Sequence, residues 1–341
     1  MKAMVLKAPR ELVPDEVARP GPDARRVLIR VTHSGICGTD FKIYSGAIPV
    51  SYPRIMGHEM VGRVVDAGDA GRFASGDRVI VDPELYCGAC FHCRIGQTHL
   101  CPHGMLVGRD ADGGFAEYVA APASHVFRLP DSIDSRTAPL IQVLTTCLHA
   151  QRQVNIFPAE SVVVFGLGVT GQLHVQLAKA RGASPVIGVT RSAAKRELAE
   201  KLGADLTVPG GEGAVEQVRE ATEGRGADVI IETTGVLASV AAAVAMARAG
   251  GRLLLFGIIT AKEGALPFYD LYFKELALVS ARVAKSEDYP AALALVEREQ
   301  IKLGPLVSDV MPLAELDTAI GMLGSDSARR MKIILDHGVN T

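Results

Sequence analysis

The residues best suited to chemistry lie in one short stretch between Cys37 and Glu59. Thr39 follows Cys37 two positions later, and the adjacent His58 and Glu59 follow after about twenty residues. A thiolate, an imidazole and a carboxylate are the ligand types that hold a catalytic zinc with one coordination position left open. A lone cysteine is more often a small packing residue, so the prediction rests on the combination. We interpret Cys37, His58 and Glu59 as the ligands of a reaction centre.

A second group of cysteines follows within fifteen residues. Cys87, Cys90, Cys93 and Cys101 have the spacing C-x2-C-x2-C-x7-C. Four thiolates so spaced can surround one zinc ion and leave no position open, which is typical of a structural site. An iron–sulfur cluster uses related spacings. A nucleic-acid-binding zinc ribbon is the non-enzymatic alternative, but this segment lacks the basic, aromatic surface that such binding needs.

A glycine-rich turn follows a short apolar strand, Ser161–Phe165, and leads into a helix. The turn consists of Gly166, Leu167, Gly168, Val169, Thr170 and Gly171. In this context the first glycine permits a tight turn, the second lets the backbone approach a pyrophosphate, and the third lets the helix pack on the strand. The phosphates would then lie at the helix N-terminus. The pattern predicts a dinucleotide cofactor.

The end of the following strand indicates which dinucleotide. Thr190 stands where an NAD-binding protein would present a carboxylate to the ribose 2′-hydroxyl, and Arg191, Lys195 and Arg196 follow it. With no carboxylate to repel a 2′-phosphate, and with a guanidinium close by, the pocket suits NADP. The alternative is an exposed helix start that carries ordinary basic residues. We predict that NADP is preferred over NAD.

The length and charge of the chain limit the class of protein. At 341 residues it can form two domains with a sizeable core each. Its 36 basic and 38 acidic residues give a net charge of -2 without long runs of one sign, so no nucleic-acid partner is expected. No apolar stretch reaches the roughly 20 residues of a membrane span, and the N-terminus lacks the apolar core of a signal peptide. We expect a cytoplasmic protein that acts on a small molecule.

Two patterns of elements must position these residues. Short alternating strands separated by Gly-Asp turns predict a β-rich N-terminal body that carries the metal on its loops. Further along, short apolar strands alternate with helices, including a helix over about residues 135–151. That alternation predicts a doubly wound parallel sheet, and therefore an α/β protein.

The strings G-I-C-G-T-D at 35–40 and G-H-E-M-V-G at 57–62 resemble the zinc-dependent medium-chain alcohol dehydrogenase family. The nearest branches are the polyol (sorbitol), threonine and glucose dehydrogenases, and the resemblance covers nearly the whole chain. It implies a Rossmann domain plus a β-rich GroES-like catalytic domain with a structural zinc lobe at about 84–104. The catalytic domain would comprise 1–150 and 285–341, and the dinucleotide-binding domain 151–284. It also implies two zinc ions per chain and a homodimer or homotetramer.

The reaction implied by the resemblance is reversible oxidation of a secondary alcohol (a polyol, sugar or amino alcohol) to a ketone, with hydride transfer to the nicotinamide. Thr39 would take the proton of the alcohol. Much of the family passes this proton on through a histidine three residues later, but here that residue is Lys42. Lysine could complete the relay only if it lost its own proton unusually readily.

A second departure from the family lies in the predicted helix. Gln142 stands where the polyol and threonine branches carry an acid that faces the catalytic zinc. An amide can ligate through its carbonyl oxygen or hold a zinc-bound water, but it contributes no charge. Gln142 resembles an arrangement found in some glucose dehydrogenases. The alternative is a glucose-type sugar dehydrogenase, or an L-threonine 3-dehydrogenase with the same machinery. A member that binds a nucleotide without turnover is disfavoured, because Cys37, His58 and Glu59 are all present.

Overall fold

The computed structural model describes residues 1–21, 23–324 and 330–339. The chain divides into two compact units. The first comprises Met1–Val143, Lys285–Glu297 and Val307–Thr341, and the second comprises Leu144–Ala284 and Arg298–Leu306. None of the helices in the described ranges combines the length and apolar character needed to cross a membrane.

Strands and helices are distributed unevenly along the chain. The strands are β1 (Lys2–Ala8), β2 (Glu11–Glu16), β3 (Arg26–Ile36), β4 (Arg54–Ile55), β5 (Glu59–Asp66), β6 (Arg78–Val81), β7 (Glu84–Leu85), β8 (Met105–Leu106), β9 (Tyr118–Pro122), β10 (Val126–Arg128), β11 (Val162–Phe165), β12 (Val186–Thr190), β13 (Leu206–Pro209), β14 (Ala227–Glu232), β15 (Ala247–Leu255), β16 (Ala277–Ser280), β17 (Val307–Pro312) and β18 (Lys332–Asp336). The α-helices are α1 (Gly38–Tyr44), α2 (Phe91–Arg94), α3 (Leu140–Val154), α4 (Val169–Ala180), α5 (Ala193–Lys201), α6 (Ala214–Ala221), α7 (Leu237–Met246), α8 (Phe268–Phe273), α9 (Asp288–Glu297) and α10 (Leu316–Gly324). Short 3₁₀ turns lie at Gly68–Ala70, Thr98–Leu100, Ala123–His125, Gly304–Leu306 and Leu313–Glu315.

The first unit is built around β3. Its main sheet has the order β10-β6-β5-β3-β18-β17, with β9 also paired to β3, and a smaller sheet has the order β2-β1-β4. Strand β3 pairs with β5, β9 and β18 and is mostly buried, with Val27, Ile29 and Val31 in one apolar cluster. The antiparallel pairing of β3 with β5 sets Gly35 opposite Glu59. Cys37 follows the end of β3 and His58 precedes β5, so this pairing brings the two residues together.

The second unit contains a parallel sheet with the order β13-β12-β11-β14-β15-β16. Successive residues of β11 point to opposite faces: Val162 and Val164 pack in one buried cluster, and Val163 in another. A strand buried on both faces reads as a continuous apolar run, as β11 does. The order is that of the Rossmann fold. The predicted fold class, a doubly wound parallel sheet plus a β-rich domain, is confirmed.

Helix α3 begins later than its sequence suggests. The predicted helix starts near residue 135, whereas α3 starts at Leu140. Before it, the backbone N–H groups of Thr137 and Ala138 both donate to the carbonyl oxygen of Asp134 in a turn. Pro139 explains the difference, because proline disfavours the α conformation of the residue before it and has no N–H to donate.

A buried carboxylate links the end of β6 to the segment that precedes α9. Asp82 accepts hydrogen bonds from Ser286 Oγ at 2.6 Å and from the backbone N–H of Glu84 at 3.0 Å. Burial raises the pKa of Asp82 to about 6, and the nearby charge of Asp288 adds to the effect, while the two hydrogen bonds oppose it. The folded chain therefore holds a proton on Asp82 at a pH where the unfolded chain has lost it.

This shift predicts a pH dependence of stability. Because the pKa of Asp82 is higher in the folded state, its stabilising contribution is complete below pH 4 and is lost as pH rises to about 6, a change of about 3 kcal/mol. We expect Asp82→Asn to flatten this fall in the free energy of unfolding, as measured by urea denaturation at several pH values. Asp69→Asn, at an exposed position, is the control. Equal pH profiles for Asp82→Asn and the unmodified protein would contradict the prediction.

Candidate metal centre and dinucleotide loop

Cys37, His58 and Glu59 converge in the first unit. Their potential ligand atoms all lie within 4.8 Å of one another, and Cys37 Sγ is 3.0 Å from His58 Nε2. His58 and Glu59 are buried, whereas Cys37 is only half-buried. A sulfur, a nitrogen and an oxygen at this separation match the donor set of a zinc site with an open position.

The start of α1 fixes the Cys37 side chain. Cys37 is the N-cap residue of this helix, and its Sγ accepts a hydrogen bond from the backbone N–H of Thr39 at 3.2 Å. In return, Asp40 Oδ2 accepts from the backbone N–H of Cys37 at 2.9 Å. This reciprocal capping orients the sulfur.

Asp40 also contacts His58, a role that the sequence analysis missed. Its Oδ1 lies 3.4 Å from His58 Nδ1, and its side chain is fully buried. Burial lowers the pKa of His58, but the Cys37 thiolate and the Asp40 carboxylate raise it more, so that it lies well above its usual value. A carboxylate on the outer ring nitrogen is the usual way to orient a metal-binding histidine. The available signal was the acid three residues after Cys37.

Lys332 forms a buried ion pair with Glu59 that nothing in the sequence indicated. Lys332 Nζ lies 2.7 Å from each carboxylate oxygen of Glu59 and 3.1 Å from the carbonyl oxygen of Ile36. Gly35 makes room for the carboxylate, because a Cβ there would lie 2.1 Å from Glu59 Oε2. A metal ion and the Lys332 ammonium therefore attract the same carboxylate.

Lys332→Met is expected to lower the free energy of unfolding by about 3 to 5 kcal/mol, because it leaves Glu59 as an unpaired buried charge. Adding Glu59→Gln should recover much of this loss, since the double variant has no unpaired charge. Urea denaturation of Lys332→Met, Glu59→Gln and the double variant measures the coupling, and Lys332→Arg, which keeps the cation, is the control. If the changes in the free energy of unfolding of the two single variants simply add up in the double variant, the two residues are not coupled.

The other four cysteines form a compact cluster in the lobe between β7 and β8. Cys101 Sγ lies 3.6 Å from Cys87 Sγ and 3.9 Å from Cys90 Sγ, and Cys87 Sγ lies 4.0 Å from Cys93 Sγ. Tetrahedral zinc with Zn–S bonds of about 2.3 Å requires S–S separations of about 3.8 Å. Backbone N–H groups of Ala89 and Cys90 lower the pKa of the Cys87 thiol to about 6. The cluster thus fits a closed four-thiolate site.

The glycine turn of the second unit joins β11 to α4. Gly166 has a φ of +93°, and a Cβ there would meet Thr233 Oγ1 at 2.6 Å. A Cβ at Gly171 would lie 1.9 Å from the carbonyl oxygen of Gly166, whereas one at Gly168 would meet nothing within 4 Å. The chain itself thus requires the first and third glycines, while Gly168 faces open space at the start of α4. Open space there is what an approaching pyrophosphate would need.

The other residues of the turn have different environments. Leu167 is buried, while Val169 and Thr170 are half-buried at the start of α4. Thr233, which the sequence analysis missed, donates from Oγ1 to the carbonyl oxygen of Gly166 at 2.9 Å. This hydrogen bond connects the turn to the end of β14.

The basic residues after β12 differ in whether they hold the local structure together or are exposed. Arg196 Nη1 donates to the carbonyl oxygens of Thr190 and Arg191, at 3.0 Å each, and so holds the end of the strand. Lys195 lies in the first turn of α5, where its backbone N–H donates to the N-cap residue, Ser192. Arg191 is exposed. Its guanidinium is therefore better placed than that of Arg196 to meet a ligand.

The remaining predicted site residues are Thr39, Lys42 and Gln142. Thr39 is half-buried next to Cys37, and Lys42 lies in the last turn of the same helix, α1. Gln142 is buried in the first turn of α3.

Comparison with known proteins relates both units to one group of enzymes. Residues 23–131 match the family model of the alcohol dehydrogenase GroES-like domain, and residues 169–298 match that of the zinc-binding dehydrogenases. A sorbitol dehydrogenase of Halalkalibacterium halodurans is 31% identical over 324 residues, 94% of each chain. An L-threonine 3-dehydrogenase of Pyrococcus horikoshii is 38% identical over 307 residues, 87% of each chain. The crystal structure of a zinc-binding dehydrogenase from Sinorhizobium meliloti bound to NADP has a TM-score of 0.92 and 33% identity, with 98% of each chain covered.

Proposed function

Because the chain belongs to the zinc-dependent medium-chain alcohol dehydrogenase family, and is thus an NAD(P)-dependent oxidoreductase, we propose that it oxidises a polyol, sugar or amino alcohol at a secondary hydroxyl to a ketone. One observation carries the proposal: the ligand atoms of Cys37, His58 and Glu59 lie within 4.8 Å of one another. These three residues would hold the catalytic zinc. Cys87, Cys90, Cys93 and Cys101 would hold a second, structural zinc.

The catalytic zinc, when bound, supplies Lewis-acid polarisation of the alcohol oxygen. Asp40 keeps the His58 ring oriented, and Lys332 balances the charge of Glu59. The Thr39 hydroxyl, two residues from Cys37, would accept the proton of the alcohol as it releases its own. Lys42, further along α1, could take up the released proton and pass it to solvent only as a neutral amine.

Gln142 bears on the identity of the substrate. As a neutral amide it would hold a water molecule or a substrate hydroxyl by hydrogen bonds, where a carboxylate would add a negative charge. The neutral side chain of Gln142 favours a glucose-type sugar dehydrogenase as the second candidate function. A threonine dehydrogenase function is supported instead by relatives such as the enzyme of P. horikoshii.

An NADP-reduction assay on the zinc-loaded protein, with sorbitol, glucose and L-threonine as substrates, tests the proposed function. If NADP is reduced in the presence of sorbitol, a secondary-alcohol substrate is supported. The product formed from sorbitol should be a ketone, which mass spectrometry identifies after its carbonyl group has been reduced with deuteride. If NADP is reduced with glucose but not with sorbitol or L-threonine, the second candidate function is favoured. No reduction with any secondary alcohol in a wider panel of polyols, sugars and amino alcohols would reject the proposal.

The second unit would bind the cofactor, with the pyrophosphate at Gly168 and the 2′-phosphate of NADP near Arg191. Charge-assisted hydrogen bonds to that phosphate contribute about 1.5 to 3 kcal/mol, or roughly tenfold to more than a hundredfold in preference. Lys195 would add a second positive charge from the start of α5, while Arg196 supports the strand end.

The Thr190→Asp/Arg191→Ala variant should reverse this preference, because it adds a repelling carboxylate and removes a cation. The ratio of kcat/KM for NADP to that for NAD measures the effect. Lys201→Ala removes an exposed cation from the far end of α5 and is the control. A kcat/KM for NAD equal to or above that for NADP in the unmodified enzyme would refute the prediction.

A homodimer or homotetramer completes the proposed function. Strand β16 lies at the edge of the parallel sheet, and its residue Leu278 is 39% exposed. Helix α8, close before it in the chain, exposes Phe268, Tyr269, Tyr272 and Phe273. An exposed edge strand can pair with another chain, and a patch of exposed aromatic side chains marks a site of interaction. Light scattering coupled to size-exclusion chromatography distinguishes the two oligomers from a monomer.

A further inference from the structure

The first unit contains a cavity of about 550 Å³ whose walls carry three arginines, Arg19, Arg26 and Arg54. None of the residues of the metal centre lines it. Its volume is within the range of small-molecule sites, and an apolar lining with a few convergent polar groups is typical of such sites. Val17, Ile55 and Val119 form part of the apolar wall.

Two of the arginines are held in place by the protein. Arg54 Nη1 lies 2.9 Å from Asp112 Oδ1, and the side chains of Arg54 and Asp112 are 13% and 61% exposed. Arg54 Nε is buried and has no hydrogen-bond partner in the part of the chain that the structure describes. Arg26 Nη2 donates to the carbonyl oxygen of Ala120 at 2.7 Å. Their positions are thus set without a ligand, which lowers the entropic cost of binding one.

The third arginine lies at the mouth of the cavity. The guanidinium of Arg19 lies 4.3 Å above the centre of the Tyr118 ring, in cation–π contact. Arg19 is exposed. It can therefore turn towards a ligand without any change in the packing of the unit.

The charges on the walls do not balance. Three guanidinium groups line a cavity in which Asp112 is the one lining carboxylate among the described residues. Asp110 lies near Arg54 but pairs with Arg109 at 2.7 Å. Positive charge that is partly removed from water is stabilised by an anion.

We propose that this cavity is a binding site for a small organic anion. Its carboxylate or phosphate oxygens would accept hydrogen bonds from Arg26 and Arg54, and its body would contact the apolar wall at Val17 and Ile55. Arg19 would close over the anion from the mouth. Neither the metal-centre residues nor the glycine turn line this cavity, so it is a separate site from those of the proposed function.

Isothermal titration calorimetry of the zinc-loaded protein tests this site with three probes: inorganic phosphate, benzoate and the neutral analogue benzamide. We expect saturable binding of one anion per chain and none of benzamide. Binding of phosphate alone would indicate a phosphate-bearing ligand, and binding of benzoate a carboxylate-bearing one. Arg19→Met and Arg26→Met should each weaken binding by about tenfold or more.

Arg10→Met, which removes an exposed arginine outside the cavity, is the matched control and should leave binding unchanged. Because Arg19 is exposed, Arg19→Met is expected to fold even if Arg26→Met does not. The proposal is overturned if neither anion binds, if benzamide binds as well as benzoate, or if Arg19→Met and Arg26→Met bind as tightly as the unmodified protein. An equal loss of anion affinity in Arg10→Met would also overturn the proposal, because it would show that only the net charge of the protein determines binding.

Discussion

Cys37→Ala will abolish turnover and leave cofactor binding intact. Loss of a zinc ligand removes polarisation of the alcohol oxygen, which contributes several kcal/mol to catalysis, so kcat should fall by about a thousandfold or more. Cys37 belongs to the first unit and the glycine turn to the second. NADPH affinity, followed by fluorescence titration, should therefore stay within about twofold of that of the unmodified enzyme.

The reciprocal variant, Gly168→Val, controls for this result. A Cβ at Gly168 would meet nothing within 4 Å, so the fold should accept a side chain that the pyrophosphate would not. This variant should keep its zinc content and lose NADPH binding. If Cys37→Ala lost cofactor binding together with activity, the metal centre and the dinucleotide loop would not be the separable sites that we propose.

Cys93→Ser should prevent the lobe between β7 and β8 from folding, and yield aggregated or dissociated protein. A closed four-thiolate zinc site contributes folding free energy directly, about 10 to 16 kcal/mol in isolated zinc-finger peptides. A serine hydroxyl is a poor substitute for a thiolate ligand. Soluble yield, zinc content per chain and elution volume in size-exclusion chromatography measure the outcome.

His103→Ala is the control for Cys93→Ser, because His103 is exposed two residues after Cys101 and is not needed to complete the four-thiolate set. It should be soluble, with two zinc ions per chain. Soluble and fully active Cys93→Ser protein that lacks one zinc per chain would show that this site does not stabilise the fold.

Features that depend on neighbouring residues could be predicted from the sequence. The four cysteines of the lobe lie within fifteen residues, and their sulfurs all lie within 4.8 Å of one another because the intervening turns are short. The glycine turn is similar, since its first and third glycines are required by contacts that the strand–turn–helix geometry creates. The parallel sheet followed from the alternation of apolar strands and helices. The start of α3 was missed, although Pro139 was a local signal.

Features that depend on strand pairing and cavities appeared only in the tertiary structure. Lys332 and Glu59 are 273 positions apart, and they meet because β18 pairs with β3 next to β5. The cavity walls likewise combine Arg19, Arg26 and Arg54 with Asp112, from separate segments of the first unit. No spacing rule relates such residues. By itself, the sequence determined the candidate ligands, the glycine turn and the fold class, whereas the pairing of distant strands decided which charges surround the metal centre.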